Sequence, residues 1–228
     1  MKILLVSATA AEIRPFTQSV DRIGKEAAEL YRYRVKNSLL DSLVTGIGMV
    51  PAAFFTGKYL SQGGYDLAIQ AGICGSHRET IPTGTVTEVT EEILPELGSE
   101  EAVPFRDIFQ LGLADPDRWP FRNGRLINAF PVESQVLRKL PKAKGSTVST
   151  IGRGKEHHER TARLFSPDVE SMEGAAFLFA CMMQRVPNVQ LRAVSNFVWE
   201  TDRTRWDVET AVKWLNEVLG EIVDEMTN

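Results

Sequence analysis

From Ala175 to Met183 the chain carries no charged residue. A helix without a polar stripe is buried on all sides, so this segment belongs inside a layered fold and not on a surface. Two acids, Glu170 and Glu173, stand at its entrance. Two readings of them stay open. Acids in a first helical turn complement the positive end of the helix. Alternatively, a carboxylate beside an apolar run needs a partner, and a ligand with neighbouring hydroxyls supplies one, because an ionised carboxylate accepts several hydrogen bonds.

The rest of the pattern provides the layers. Apolar or alternating runs at residues 2–7, 29–36, 38–45, 67–70, 85–90, 146–151 and 189–195 predict strands. The segment ending near Val20 and residues 51–62, 131–140, 155–165 and 206–226 predict further helices. This alternation predicts an α/β fold: a single domain over residues 1–228 with a central mixed, twisted sheet flanked by helices. Residues 95–130 break the pattern with Pro, Gly, Asp and isolated aromatics, which predicts an irregular loop region serving as lid, binding loop or interface.

Composition enters as exclusion. A net charge of −4 argues against a nucleic-acid partner, whose footprint is basic. No apolar run approaches the roughly 20 residues of a membrane span, and the apolar stretch 3–6 is too short for a secretory signal. Cys74 and Cys181 form no CxxC pair and lie in apolar settings, so they read as buried thiols of a cytoplasmic protein. His157 and His158 are adjacent, hence on different faces of their helix, and His77 is the only other histidine. No metal and no cofactor are expected. The charges at 155–163 read as a solvated helix face.

Candidate chemistry gathers at element ends, where α/β folds place ligand contacts. Glu12 follows the first strand and reads either as a first-turn helix acid or as a site carboxylate. Gly46 and Gly48 follow the strand at 38–45; Pro51 stands where a dinucleotide fingerprint needs its third glycine. Two glycines still let backbone N–H groups approach an anion or a sugar. Gly72 lies in a second small-residue stretch, Ala71 to Ser76. Gly152-Arg153-Gly154-Lys155 is no P-loop, because Ser149 occupies the first glycine position. Arg192 is embedded in an apolar strand that ends at Ser195-Asn196. The chain has no GxSxG elbow, so covalent nucleophilic catalysis has no support.

Jointly, Glu12, Thr45-Gly46-Ile47-Gly48, Ser171-Met172-Glu173-Gly174-Ala175-Ala176 and Arg192-Ala193-Val194-Ser195-Asn196 resemble the nucleoside phosphorylase/nucleosidase superfamily over nearly the whole chain. Within it, Val169 to Phe177, Ser195-Asn196-Phe197-Val198 with Asp202-Arg203 and Trp206, and Trp119 to Asn128 are similar to the futalosine hydrolases of the alternative menaquinone route. The resemblance implies hydrolysis of the N-glycosidic bond of futalosine, a small-molecule nucleoside, releasing hypoxanthine and dehypoxanthinyl futalosine. It implies a homodimer or higher homo-oligomer. By the same resemblance Glu173 holds the ribose hydroxyls, Met172 packs on the sugar, Glu12 acts as general base on water, and Arg192 steadies that carboxylate or the water. Ser195, Gly72, Gly48 and Phe197 complete the implied substrate contacts. Adenine-cleaving relatives carry Asp where Asn196 stands. An amide is no general acid at neutral pH, but it donates and accepts at once, which suits the O6/N7 edge of a 6-oxopurine. Relatives stack an aromatic from the segment after the strand at 146–151; here Pro131 to Leu164 contains none, so Phe165, Phe197 or an aromatic of the 105–121 loop is expected to replace it. The competing functions are a phosphorolytic 6-oxopurine nucleoside phosphorylase, which needs a phosphate site where Glu12 stands, a methylthioadenosine nucleosidase, which Asn196 disfavours, and a non-catalytic nucleoside-binding module.

Overall fold

A computed structural model describes residues 1–100, 105–152 and 154–228. Strand β1 (Lys2–Ser7) and helix α1 (Ala10–Gln18) open the chain, followed by β2 (Asp21–Lys25), β3 (Leu30–Val35), β4 (Ser38–Val44), α2 (Met49–Ser61), β5 (Leu67–Ser76) and β6 (Val86–Ile93). The middle holds β7 (Gly98–Ser99), β8 (Arg106–Asp107), β9 (Phe121–Arg122) and β10 (Arg125–Ile127). Then come α3 (Gln135–Lys139), β11 (Lys142–Thr147), α4 (Lys155–Phe165), β12 (Val169–Ser171), α5 (Gly174–Gln184) and β13 (Asn188–Phe197). A 3-10 turn at Arg203–Arg205 leads into α6 (Val208–Met226).

Among the described residues the main sheet runs β2-β3-β4-β1-β5-β12-β11-β6-β10-β9, with β13 pairing both β5 and β6. It is mixed, as expected: β1 is parallel to β4 and β5, whereas β2, β3 and β4 are antiparallel. Strands β5, β12, β11, β6 and β13 close on themselves through successive pairings. The continuous apolar character of β1 follows from burial on both faces. Ile3 and Leu5 pack with Ile13 and Phe16 of α1 and with Leu215 and Leu219 of α6. Leu4 and Val6 face the opposite layer, against Tyr59 of α2 and Phe177 and Cys181 of α5. Each such side chain contributes about 1.5–3 kcal/mol. No helix of the described residues is long and apolar enough to cross a membrane.

Several expectations are corrected. The uncharged helix α5 is buried except along one stripe, where Phe179 and Met183 are exposed. Glu170 lies in strand β12, not at the helix entrance. Strand β11 starts at Lys142 instead of 146, because Lys142 and Lys144 alternate outward around buried Ala143. Asp168 secures that strand by accepting the Lys144 N–H, while its own N–H donates to the Lys144 carbonyl. The β-branched run after Thr147 leaves the sheet: tertiary pairing overrides propensity. Helix α3 is shorter than expected, and α6 begins at Val208, after the 3-10 turn. Strand β5 continues through Ala71–Ser76, so Gly72 and Gly75 sit within a strand and not in a turn. The described part of the 95–130 stretch is mostly turns and bends, as expected, and carries the short strands β7 to β10; residues 101–104 lie outside the described set, as does residue 153. His157 and His158 are buried although the surrounding charges of α4 are exposed.

Candidate active site

The register of β13 against β5 sets Arg192 beside Gly72. A Cβ at Gly72 would overlap the Arg192 guanidinium and stand 3.0 Å from Glu12 Oε1. One missing side chain thus makes room for two functional groups from opposite ends of the chain. Arg192 is 1% exposed; its Nη1 lies 3.7 Å from Glu173 Oε2, and its Nε and Nη2 have no hydrogen-bond partner. A buried guanidinium with donors to spare can hold both acids and still bind a further acceptor.

Glu12 is the third residue of α1 and reaches back over its own helix start. Its Oε2 accepts from the Thr9 N–H at 2.8 Å and from the Thr9 hydroxyl at 3.1 Å, while Oε1 accepts from the Ile73 N–H at 3.2 Å. This is a capping box, Thr-x-x-Glu, so the helix acid and the site carboxylate are one residue. Burial pushes its carboxyl above the ordinary value, while Arg192 and the two backbone donors pull it back and Glu173 adds to the rise.

Glu173 is the N-cap residue of α5, and its Oε1 accepts the Gly48 N–H at 2.9 Å. Gly48 has φ 98°, a conformation side chains resist, and this turns its N–H towards the carboxylate. At the far end of β13 the register shifts at Ser195. This bulge re-aims the strand end. The Ser195 hydroxyl lies 2.8 Å from Asn196 Oδ1 and 3.2 Å from the Cys74 carbonyl, and Asn196 Nδ2 donates to the Phe197 carbonyl at 2.9 Å. One amide proton and one lone pair of Asn196 remain for a ligand.

These groups border a pocket of about 540 Å³, a size that suits a small-molecule ligand. Glu12, Met172, Glu173, Ser195 and Asn196 line it; Gly48, Gly72 and Arg192 are not among the lining residues. Phe197 is also outside the lining and stacks on Trp199, ring centroids 4.8 Å apart. Phe165 borders a separate cavity, near Phe109 and Arg125. Trp206 is the one aromatic among the described lining residues, and Ile151 and Gly152 line the pocket from the segment after β11.

Two further acids stand near the site without having been assigned to it from the sequence. Glu170, treated there as a helix-entrance acid, lines the pocket from β12. Glu92 is buried, with Gln190 Nε2 donating to it at 2.6 Å and the Thr147 hydroxyl at 2.9 Å; burial pushes its carboxyl up to about 7 against the pull of those donors and of Arg192. The Thr-x-x-Glu spacing is a signal that marks the place of Glu12. Nothing local marks Glu92. Among the described residues no cluster of three or more His, Cys, Asp or Glu is arranged to hold a metal ion.

Comparison with known proteins gives concordant results. The profile of the phosphorylase superfamily matches residues 2–228. A futalosine hydrolase of Thermus thermophilus is 28% identical over 228 residues, spanning 97% of this chain and 95% of the relative. A futalosine hydrolase of Streptomyces coelicolor is 30% identical over 188 residues, spanning 80% of this chain and 77% of the relative. The solved structure of futalosine hydrolase from Helicobacter pylori superposes with a TM-score of 0.82 over 99% of this chain and 98% of that one; at 19% identity this likeness speaks to the fold.

Proposed function

The chain belongs to the phosphorylase superfamily and, within it, to the futalosine hydrolases, and from that premise we propose that it hydrolyses the N-glycosidic bond of futalosine, releasing hypoxanthine and dehypoxanthinyl futalosine in menaquinone biosynthesis. The observation that carries the mechanism is the convergence of Glu12 and Glu173, held beside Arg192, on a pocket that Asn196 also lines.

Breaking the bond builds positive charge on the ribose and negative charge on the departing purine, and groups aimed at both lower the barrier. Glu12 is the general base. Both lone pairs of its Oε2 are taken by Thr9, but Oε1 keeps one after the contact to Ile73, and its raised proton affinity suits it to take a proton from water, a role worth about 10²–10⁴ in rate. Glu173 accepts the ribose hydroxyls, with Met172 against the sugar. Arg192 keeps the two carboxylates close and orients the water. Asn196 meets the O6/N7 edge of the base with its remaining proton and lone pair. At the other wall the Arg203 guanidinium lies 5.8 Å from the Trp206 ring centroid. That pair suits the carboxyphenyl end of futalosine, an aromatic ring bearing a negative charge. Glu12 and Glu173 both line the pocket beside the single Arg192 guanidinium, and this excess of negative charge disfavours a phosphate co-substrate there.

The proposed assembly is a cytoplasmic homodimer or higher homo-oligomer. Ile47, Val50 and Phe54 near the start of α2, and Phe179 and Met183 of α5, which packs against α2, are exposed apolar side chains; clustered exposure of that kind marks interaction sites. Ile47 also lines the pocket, so a partner on this face would border the site. Cys74 and Cys181 are free and buried, as suits a reducing compartment. The decisive experiment is chromatography of the base released from futalosine, inosine and methylthioadenosine, with and without phosphate. Phosphate-independent release of hypoxanthine from futalosine is expected. Strict phosphate dependence, or adenine as the preferred product, would overturn the proposal.

A further inference from the structure

Helix α1 is a weak support for Glu12 by itself. It has 9 residues, one of them a proline, and an isolated helix shorter than about 12–15 residues is marginal in water. Pro15 lacks the N–H that the Ala11 carbonyl would accept, and its ring crowds that carbonyl, one residue before Glu12. The missing support comes from α6, 204 residues further along the chain. The Asn216 amide accepts the Phe16 N–H at 3.0 Å and donates to the Glu12 carbonyl at 2.8 Å. In an α-helix those two groups belong to one turn, as donor i and acceptor i−4. Asn216 therefore clasps the turn of α1 that carries the site carboxylate.

Asparagine is a costly choice here for packing alone. Asn216 is 7% exposed, on the face of α6 that also buries Ala211, Leu215, Leu219, Ile222 and Val223. Asparagine is a poorer helix former than leucine, and a buried amide is destabilising unless its groups are paired. They are paired: its Nδ2 also donates to the Val212 carbonyl at 2.6 Å, so both amide protons are used.

The same helix is tied to the site at its start. The N–H of Asp207, the N-cap residue, donates to the Ser195 carbonyl at 2.8 Å, and Val208 and Val212 line the pocket. From Asp207 to Asn216 the helix rises about 13 Å. One rigid segment thus runs from the Ser195-Asn196 end of the pocket to Glu12.

We infer that Asn216 is a positioning residue: it pins the backbone of Glu12 to α6, and α6 sets the spacing between the water-activating acid and Ser195-Asn196. Thr9 and Ile73 fix the Glu12 carboxylate; Asn216 fixes the backbone from which that side chain extends. The inference rests on the proposed hydrolase reading, in which Glu12 is the general base, and adds the residue that holds it in place.

The experiment measures kcat and KM for futalosine in N216L, in L219A, in E12Q and in the N216L/E12Q double variant. L219A removes packing from the core shared by α1 and α6 and leaves the hydrogen bonds to Glu12 intact. N216L is expected to lower kcat by about 10²-fold with KM within about threefold, because the acid acts on water and not on ground-state binding. L219A, assayed below its melting temperature, is expected to keep kcat within about threefold of wild type. In the E12Q background N216L is expected to cost less than about threefold further, since both changes act through one carboxylate. Equal losses from N216L in the two backgrounds, or a loss of kcat in L219A as large as in N216L, would overturn the inference. N216A replaces N216L in every comparison if the leucine variant does not fold. An NMR titration of the Glu12 carboxyl carbon gives a readout that needs no turnover. Burial raises the proton affinity of Glu12, and Arg192, Thr9 and Ile73 pull it back. Arg192 and Ile73 stay on β13 and β5 when the turn shifts, so the midpoint is expected to rise in N216L. If the wild type releases no hypoxanthine, the hydrolase proposal falls separately. An unmoved midpoint then overturns the positioning role as well, and a raised one sustains it.

Discussion

Glu12 and Glu92 are both buried acids in the field of Arg192, and burial raises the proton affinity of both. Their surroundings differ. Glu12 is tied by Thr9 and Ile73 and opens on the pocket. Glu92 is enclosed: a Cβ at Gly145 or at Gly174 would overlap its carboxylate, and its two oxygens accept from Gln190 and Thr147. Thr147 Oγ1 in turn accepts the Ala175 N–H at 2.7 Å, so Glu92 links the first turn of α5, and with it Glu173, to β6 and β13. The comparison teaches that a perturbed acid is only half of a catalytic signature. Access to water and substrate separates the acid that reacts from the one that holds the frame.

The largest expected effect sets the two acids against each other. E12Q should lower kcat/KM by about 10³-fold with little change in melting temperature, since glutamine also serves in a capping box. E92Q, assayed in parallel at neutral pH, should stay within about threefold of wild type, as expected of a group that touches no reacting atom. Comparable losses in both variants would erase the distinction. An intermediate effect is expected from G72A. Its methyl group overlaps the Arg192 guanidinium and crowds Glu12, so it should cost about 10²-fold in kcat/KM, with about 1–3 kcal/mol of stability lost to overpacking. Wild-type kinetics in G72A would mean that the Arg192–Glu12 spacing is not critical.

The smallest effect is a pH dependence that sharpens the contrast from the other side. Glu92 at about 7, against an ordinary 4.5, means that the folded protein keeps a proton which the unfolded chain releases between those values. Its stabilising contribution is complete below the unfolded value and is lost as the pH rises through the folded one. Wild type should therefore lose stability relative to E92Q between roughly pH 5 and 8, by about 1–3 kcal/mol, as measured from urea midpoints. Parallel stability curves for the two proteins would show that Glu92 does not titrate in this window.

The legible parts of the site share one property: they sit where an element ends. Glu12 after β1, Gly48 after β4 and Ser195-Asn196 at the end of β13 could be picked out because a polar or flexible residue interrupts a regular period there. The expectation of a stacking aromatic did not lead to the residues that line the pocket, because Phe197 found Trp199 and Phe165 found another cavity. Partners of that kind come from folding, not from spacing.

By itself the sequence determined the alternation of strands and helices, the two-faced burial of β1, the mostly hidden α5 and the family motifs, all of which depend on neighbours a few residues apart. Tertiary structure alone decided that Gly72 makes room for Arg192 and Glu12, that Asn216 clasps the backbone of Glu12, and that Glu92 is sealed while Glu12 is open. Desolvation, charge pairing and a bridging amide are properties of groups gathered from distant segments. No local pattern encodes which segments meet.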